Sequence, residues 1–318
     1  MNSTASVAVT KNRTPMRKAW NTALQYKYFY LMVLPILLWY LFFSYGPMYG
    51  VTLAFKTFHF NKGILGSPWI GFAHFKELLH DPDFRNAFTN TIIISVMKLL
   101  ITFPLPIILA ILMNEFSRTV ARRFFQTIFT FPHFISWVVL AGIISNILSK
   151  DGIFNQITAL FGVDPMSPLV DENAFRPMLY ITHVWKEIGW DSIIYLAALA
   201  GINPELYEAA EMDGANRFQR LIYIAWPGIK GTVAIMLVLS VGHLMALGSS
   251  FDQIFNLYSS PVYSVSDTID TYVYRASFTT GADFGLMTAV GLVKSVINLI
   301  LLVAANWLVK RLGEEGLY

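Results

Sequence analysis

The chain has 318 residues, a length that suits two soluble domains or one membrane-embedded body. Composition separates these: 55% of residues are apolar and only 14% charged, against about 25% charged in an ordinary soluble domain. The absence of cysteine excludes a disulfide framework, a thiolate nucleophile and a cysteine metal site, while a net charge of +3 by itself assigns no partner.

Apolar segments of about 20 residues can span a bilayer, and six are expected in an all-α polytopic membrane protein. A Ser-, Thr- and Asn-rich tail over residues 1–27 precedes the first, Tyr28 to Gly46. That run is longer than a signal-peptide core and no small-x-small cleavage site follows it, so an uncleaved first helix is expected. The second span is Phe88 to Met113, with Pro104 and Pro106 inside it, and the third is Ile128 to Leu148, with Pro132 near its start. Prolines are tolerated there because neighbouring helices can satisfy the freed carbonyls. The fourth, Pro177 to Ala200, is interrupted by Lys186, Glu187 and Asp191. The fifth covers Thr232 to Ser249 and the sixth Leu286 to Leu308, within a membrane domain over residues 28–308 and ahead of a short tail, 309–318. No linker marks a second soluble domain.

Lysine and arginine set the orientation. With the N-terminus inside, the inner segments hold 13 basic residues in 82 positions and the outer ones 7 in 105, and both termini are cytoplasmic. The stretch Ser117 to Arg123, "SRTVARR", carries much of that bias.

Between the fourth and fifth spans lies a charged cassette, about residues 203–230, with four acids and three bases from Glu205 to Lys230. Asn203 is a good N-cap and Pro204 a good first-turn residue, and "ELYEAAEMD" favours helix with acids in its early turns. Gly214 stands where a left-handed residue would stop that helix, and a second short helix, Asn216 to Ala225, is expected to end before Pro227. Such a knob is too polar for lipid and too short for a domain. Taken on physics alone, it is either a docking element or a solvated connector.

At this point the chain resembles a known family. Glu208, Ala209, Ala210, Asp213, Gly214 and Ala215, followed by Ile224 and Pro227, look like the EAA motif of ATP-binding-cassette importer permeases; Trp226 departs from the usual leucine. "YGPMYGVTLAF", "FPHFISWVV", "GWDSIIYLAALAGINPELYEAAEMDGA" and the terminal "GEEGLY" extend the resemblance to the polysaccharide-type oligosaccharide permeases, relatives of the multiple-sugar and maltose importers. The resemblance implies a type I importer permease fold in a bacterial plasma membrane, with the cassette as coupling helix in a cleft of an ATPase subunit. It further implies a second, homologous permease, two ATPase subunits, an extracellular solute-binding protein and an oligosaccharide substrate. Glu208 is the residue expected to matter most for docking, Arg217 and Arg220 could meet acids on the ATPase or stay solvated, and the tail "GEEGLY" could reach the ATPase or fray.

The chain contains no G-x-x-x-x-G-K-[ST] phosphate loop, so ATP and magnesium belong on the partner; this subunit is expected to be non-catalytic, with no cofactor, metal or nucleic acid of its own. Charges within spans usually face a cavity or each other. Trp185, Glu187, Trp190 and Asp191 offer aromatic faces and carboxylates for sugar, with His243 and Gln253 as further candidates beside Ser249 and Asp252. The competing use is structural: Lys186 with Glu187 or Asp191 as an internal ion pair, the tryptophans as interfacial anchors, and Lys98 and Lys294 pairing with the second permease. A membrane enzyme would need a nucleophile–base pair, a metal triad or an aspartate dyad, none of which is evident; an ATP-independent channel or secondary transporter would leave the cassette unexplained.

Overall fold

The computed structural model describes residues 25–116, 119–245, 251–278, 283–311 and 313. Most of the N-terminal tail, Ser117, Ser249 and residues 314–318 of the C-terminal tail lie outside the described residues. Residues up to Thr52 form one unit and those from Leu53 onward a second.

In the first unit, α1 (Lys27–Tyr40) has no buried residue and carries Pro35 inside it. A π turn, Leu41–Tyr45, follows, in which Gly46 donates to the Leu41 carbonyl at 2.9 Å. The widened turn comes just ahead of Pro47, whose ring would crowd the carbonyl four residues back in a regular helix. A 3-10 stretch, Pro47–Phe55, continues the chain, and Lys27–Phe55 is long and apolar enough to cross a membrane.

The second unit is a helical bundle, and several of its helices begin at side-chain caps. After α2 (Ala73–His80), α3 (Pro82–Thr102) starts with the Asp81 carboxylate accepting from Asp83 N–H at 2.9 Å and Pro82 in the first turn. It hands over at Phe103 to α4 (Pro104–Asn114), and together they run 33 residues. The next span departs from a simple rod. α5 (Thr119–Thr130) ends in a 3-10 turn, Phe131–Phe134, and α6 (Trp137–Ile147) leaves at 97° to it. Pro132 lies in the turn, and the Ser136 hydroxyl caps the second half at Val139 N–H.

Past a short α7 (Ile153–Ala159), the longest helix, α8 (Glu172–Ala200), is 29 residues, begins at an Asp171 cap and contains Pro177. It is long enough for a span but carries Arg176, Lys186, Glu187 and Asp191, so it does not share the apolar character of the others. Among the described residues four helices are plainly long and apolar enough to cross a membrane, and the bent pair makes a fifth; a sixth span requires counting the charged α8. α9 (Pro204–Met212) and α10 (Arg217–Arg220) form the loop that leads to α11 (Trp226–Gly242). α12 (Phe251–Leu257) and α13 (Ile269–Phe278) precede the closing helix, α14 (Phe284–Arg311).

Packing is by apolar contact in separate clusters. Ile94, Leu140, Ile144, Phe175, Leu179 and Ile254 join α3, α6, α8 and α12. Ile107, Ala110, Met113, Tyr195, Leu199 and Ile229 join α4, α8 and α11 at the end of the bundle where the α8–α11 loop emerges. α11 and α14 run antiparallel, with Gly242 against Leu302 and Ala234 and Val238 beside Ala305 and Val309. The C-terminus of α14 therefore lies at the same end as that loop.

One glycine sets a close approach. A Cβ on Gly189 of α8 would sit 2.2 Å from the Phe129 carbonyl, backbone on backbone. Gly189→Ala should therefore push α5 away from α8 and lower the midpoint of thermal unfolding in detergent, in line with about 1–3 kcal/mol for overpacking; an unchanged midpoint would contradict the contact.

Candidate functional site

The α8–α11 loop is built from local hydrogen bonds. The Asn203 side chain accepts from Glu205 N–H at 3.1 Å, with Pro204 in the first turn of α9. At its far end Gly214 has φ +77°, the Gly214 N–H reaches the Glu211 carbonyl at 3.1 Å, and the Ala215 N–H reaches the Ala210 carbonyl at 2.9 Å. That pair of bonds is a Schellman ending, which needs the left-handed glycine. A reciprocal cap follows: Asn216 and Gln219 exchange side-chain-to-backbone bonds at 2.8 and 2.9 Å.

The expected stop before Pro227 is not what forms. α10 passes through a π turn, Leu221–Ala225, straight into α11, giving one 26-residue rod, Arg217–Gly242, with Pro227 in the first turn of its regular part. The π turn takes up the missing amide and the bulk of the ring, so the proline re-phases the helix instead of ending it. The loop is consequently joined without a break to the fifth span, which starts well before Thr232.

Glu208, Ala209, Asp213, Gly214 and Arg217 are exposed, and Ala210 and Ala215 are half-buried. Arg220 reaches Glu211 of its own loop at 3.5 Å, a mostly solvated pair of little energetic weight. Met212 is 89% exposed and Phe218 69%, large apolar surface for a water-facing turn. Beneath the loop, a cleft of about 530 Å³ lies between Asn114, Glu115, Tyr207, Glu208, Arg217 and Arg220. Burial and then the nearby Glu115 carboxylate raise the Tyr207 phenol above its ordinary range, with Arg220 acting the other way.

The charged stretch in the middle of α8 divides its residues between several neighbours. Glu187 turns to His133 in the elbow of the bent span, 2.6 Å from its Nδ1, and is 3.0 Å from Lys186. Lys186 is buried and donates to the His133 carbonyl at 2.6 Å. Trp190 is partly exposed and stacks on the His133 ring, centroids 4.2 Å apart and planes 3° from parallel. Asp191 is exposed and borders a cleft of about 190 Å³ with Lys98, His183, Tyr195 and Ser240. Trp185 is half exposed and lies away from these, on an apolar groove with Leu105, Ile181 and Ile188.

Gln253 is wholly buried and saturated: its amide nitrogen donates to the Leu179 carbonyl and the Thr182 hydroxyl at 2.8 and 2.9 Å, and its oxygen accepts from Lys98 at 2.7 Å. It ties α12 to α8 and α3. His243, exposed at the end of α11, contacts the Leu239 carbonyl. Lys294 pairs within the chain with Asp270 at 2.5 Å. His133 was not among the residues expected to matter; it is a lone histidine beside a proline, and only the fold places it against the α8 charges.

The comparisons bear on this arrangement. Residues 102–314 match the model of the binding-protein-dependent transport system inner membrane component family. The chain belongs to that family. It is 40% identical to the polygalacturonan/rhamnogalacturonan transport system permease protein YteP of Bacillus subtilis (strain 168), over 93% of this chain and 91% of that one. It is 41% identical to the protein LplB of the same organism, over 94% of both. A crystal structure of a bacterial ABC transporter involved in the import of the acidic polysaccharide alginate superposes with a TM-score of 0.85 at 39% identity, over 92% of this chain and 99% of that one. A crystal structure of a bacterial alginate ABC transporter in complex with an alginate pentasaccharide-bound periplasmic protein gives 0.86 at 37% identity, over 94% of this chain and 99% of that one. The fold is thus that of an ABC importer permease, and the chain is a membrane-embedded permease subunit.

Gln253→Leu removes three buried hydrogen bonds, one of them to an ammonium group. It should destabilise the permease by about 2–3 kcal/mol, read as a lower unfolding midpoint in detergent, whereas a neutral outcome would show that the amide is not a tie between helices.

Proposed function

We propose that the chain forms half of the translocation path of an ATP-driven importer for oligosaccharides cut from polysaccharides, and itself carries out no chemistry. The observation that carries this reading is the α8–α11 loop: in a permease-family chain, a water-exposed helix, closed by a glycine turn, is joined to long helices on both sides. Glu208, Ala209, Ala210, Asp213, Gly214, Ala215, Arg217 and Pro227 then form the docking element for a cytoplasmic ATPase subunit. One such loop serves one ATPase, so a pair of ATPases calls for a second, related permease. ATP and magnesium would be held by the ATPase pair, and a solute-binding protein would deliver the sugar from outside.

The mechanism follows from the connections. When the ATPase pair closes, it displaces α9, and the short Gly201–Asn203 link passes that displacement to α8. The unbroken α10–α11 rod carries the same movement into the fifth span. Two arrangements of the bundle, open inward and open outward, are then favoured differently by ATP and by the loaded binding protein. The density of lysine and arginine supports placing both termini and this loop in the cytoplasm, and the α14 end lies on the loop side of the bundle.

Along the path, Trp185, Trp190, Asp191 and His243 offer exposed aromatic, carboxylate and imidazole groups for sugar, while Glu187 and Gln253 are committed to partners in this chain. The polygalacturonan/rhamnogalacturonan and alginate systems among the relatives point to polymer-derived sugars, and the acidic character of alginate makes acidic oligosaccharides the first to try.

The test is co-purification of the detergent-solubilised complex with the native chain and with Glu208→Ala combined with Gly214→Pro, proline being unable to adopt φ +77°. The native chain should bring down an ATPase and a second permease, and the variant the permease alone, with transport in proteoliposomes lost. A native chain that emerges without any ATPase would sink this reading in favour of a self-contained transporter or channel.

A further inference from the structure

The bent span raises a physical difficulty. A helix broken by 97° loses intrahelical hydrogen bonds at the break, and in hydrocarbon no water replaces them. The second half solves its side locally, through the Ser136 cap. The first half does so only in part: the Ile135 N–H reaches the Pro132 carbonyl at 3.1 Å, but the His133 carbonyl, which would have bonded to the fourth residue onward in a continuous helix, is taken by Lys186 of α8 at 2.6 Å. Lys186 is in turn held by Glu187 at 3.0 Å and lies 5.6 Å from the face of Trp137, the first residue of the second half. Glu187 also grips the His133 ring, Trp190 stacks on that ring, and Gly189 lets the two backbones touch one residue away. Four α8 residues, Lys186, Glu187, Gly189 and Trp190, thus meet the elbow or the end of α5 that leads into it.

α8 is also the helix that delivers the α9 loop. From Lys186 to Ala200 it runs 15 residues, about 21 Å of straight helix, and it contains no proline or glycine on the way other than Gly189. A movement applied at α9 therefore reaches the elbow through a stiff rod, and arrives at an ion pair and a stacked ring able to turn it into a change of angle between α5 and α6.

We propose that Lys186, Glu187 and His133 are positioning residues that link the ATPase-driven movement of α8 to the opening and closing of the bent span, so that the elbow is a working joint of the permease. This inference rests on the importer reading above. It gives the intramembrane Lys186–Glu187 pair a task that sugar contact does not require.

The chain has no cysteine, so paired spin labels can be introduced cleanly. Phe124→Cys and Ile147→Cys place labels at exposed positions on the two sides of the elbow. In the reconstituted complex with loaded binding protein, the inter-label distance should shift between the nucleotide-free and the ATP-trapped states. Glu187→Gln and His133→Phe should each abolish that shift and raise the ATP hydrolysed per sugar imported severalfold. Glu187→Asp, which keeps a carboxylate for both Lys186 and His133, should retain both readouts, which a merely destabilised bundle would not show. A distance that stays constant in the native complex while ATP hydrolysis and import proceed would overturn the joint but leave the importer intact. Glu187→Gln and His133→Phe both retaining native ATP-to-sugar stoichiometry would overturn it equally. A native preparation that neither binds an ATPase nor imports sugar with ATP would instead mark the failure of the importer reading on which the joint depends.

Discussion

A helix in hydrocarbon must satisfy its own backbone, and the rest of this structure follows from how that demand is met wherever proline or a bend breaks the pattern. The chain uses three devices. Before Pro47 and Pro227 the helix widens into a π turn that makes room for the ring and lets the rod continue. At Pro104 the helix passes from α3 to α4 with little interruption, and the two count as one 33-residue span. At Pro132 it breaks, and the orphaned His133 carbonyl is taken by a lysine from another helix. The three outcomes have different consequences: re-phasing preserves a lever, whereas a break makes a joint and binds it to whichever helix supplies the missing donor.

The α9 loop shows the opposite regime. Its residues are mostly exposed, and its shape is set by short-range chemistry. The Asn203 cap, the Schellman ending at Gly214 and the Asn216–Gln219 exchange all close within a few residues. That is why this loop was legible in the sequence almost residue by residue, including the positive φ at Gly214. The one local misreading concerned Pro227, which looks like a terminator but stands in the first regular turn after a π turn, where the missing amide is tolerated.

Elsewhere legibility fell off with distance along the chain. The spans were visible as apolar runs, and Pro132 marked a disturbance, but no sequence period encodes a 97° bend. Lys186, Glu187 and Asp191 stood out as intramembrane charges, with sugar binding and internal pairing both open. The partners these groups have could not be read from the sequence because they lie far away: Glu187 meets His133 across 54 positions, and Lys98 meets Gln253 across 155. Lys294 meets Asp270 within this chain, across 24 positions.

The polar residues of the bundle thereby fall into two groups with different physics. Lys98, Lys186, Glu187, Gln253 and Lys294 are covered and bound to groups of their own chain, where desolvation is offset by short hydrogen bonds and where removal of one partner strands another. Trp185, Trp190, Asp191 and His243 keep surface free. A translocation path needs the second kind, because a group already saturated gains nothing from a passing hydroxyl, while a shape-changing bundle needs the first kind, because bistable packing requires contacts strong enough to define each state. Trp190 belongs to both, one face on His133 and the rest exposed, and it sits where the joint and the path would meet. An importer gated at that point would sense its cargo and its elbow angle through the same ring.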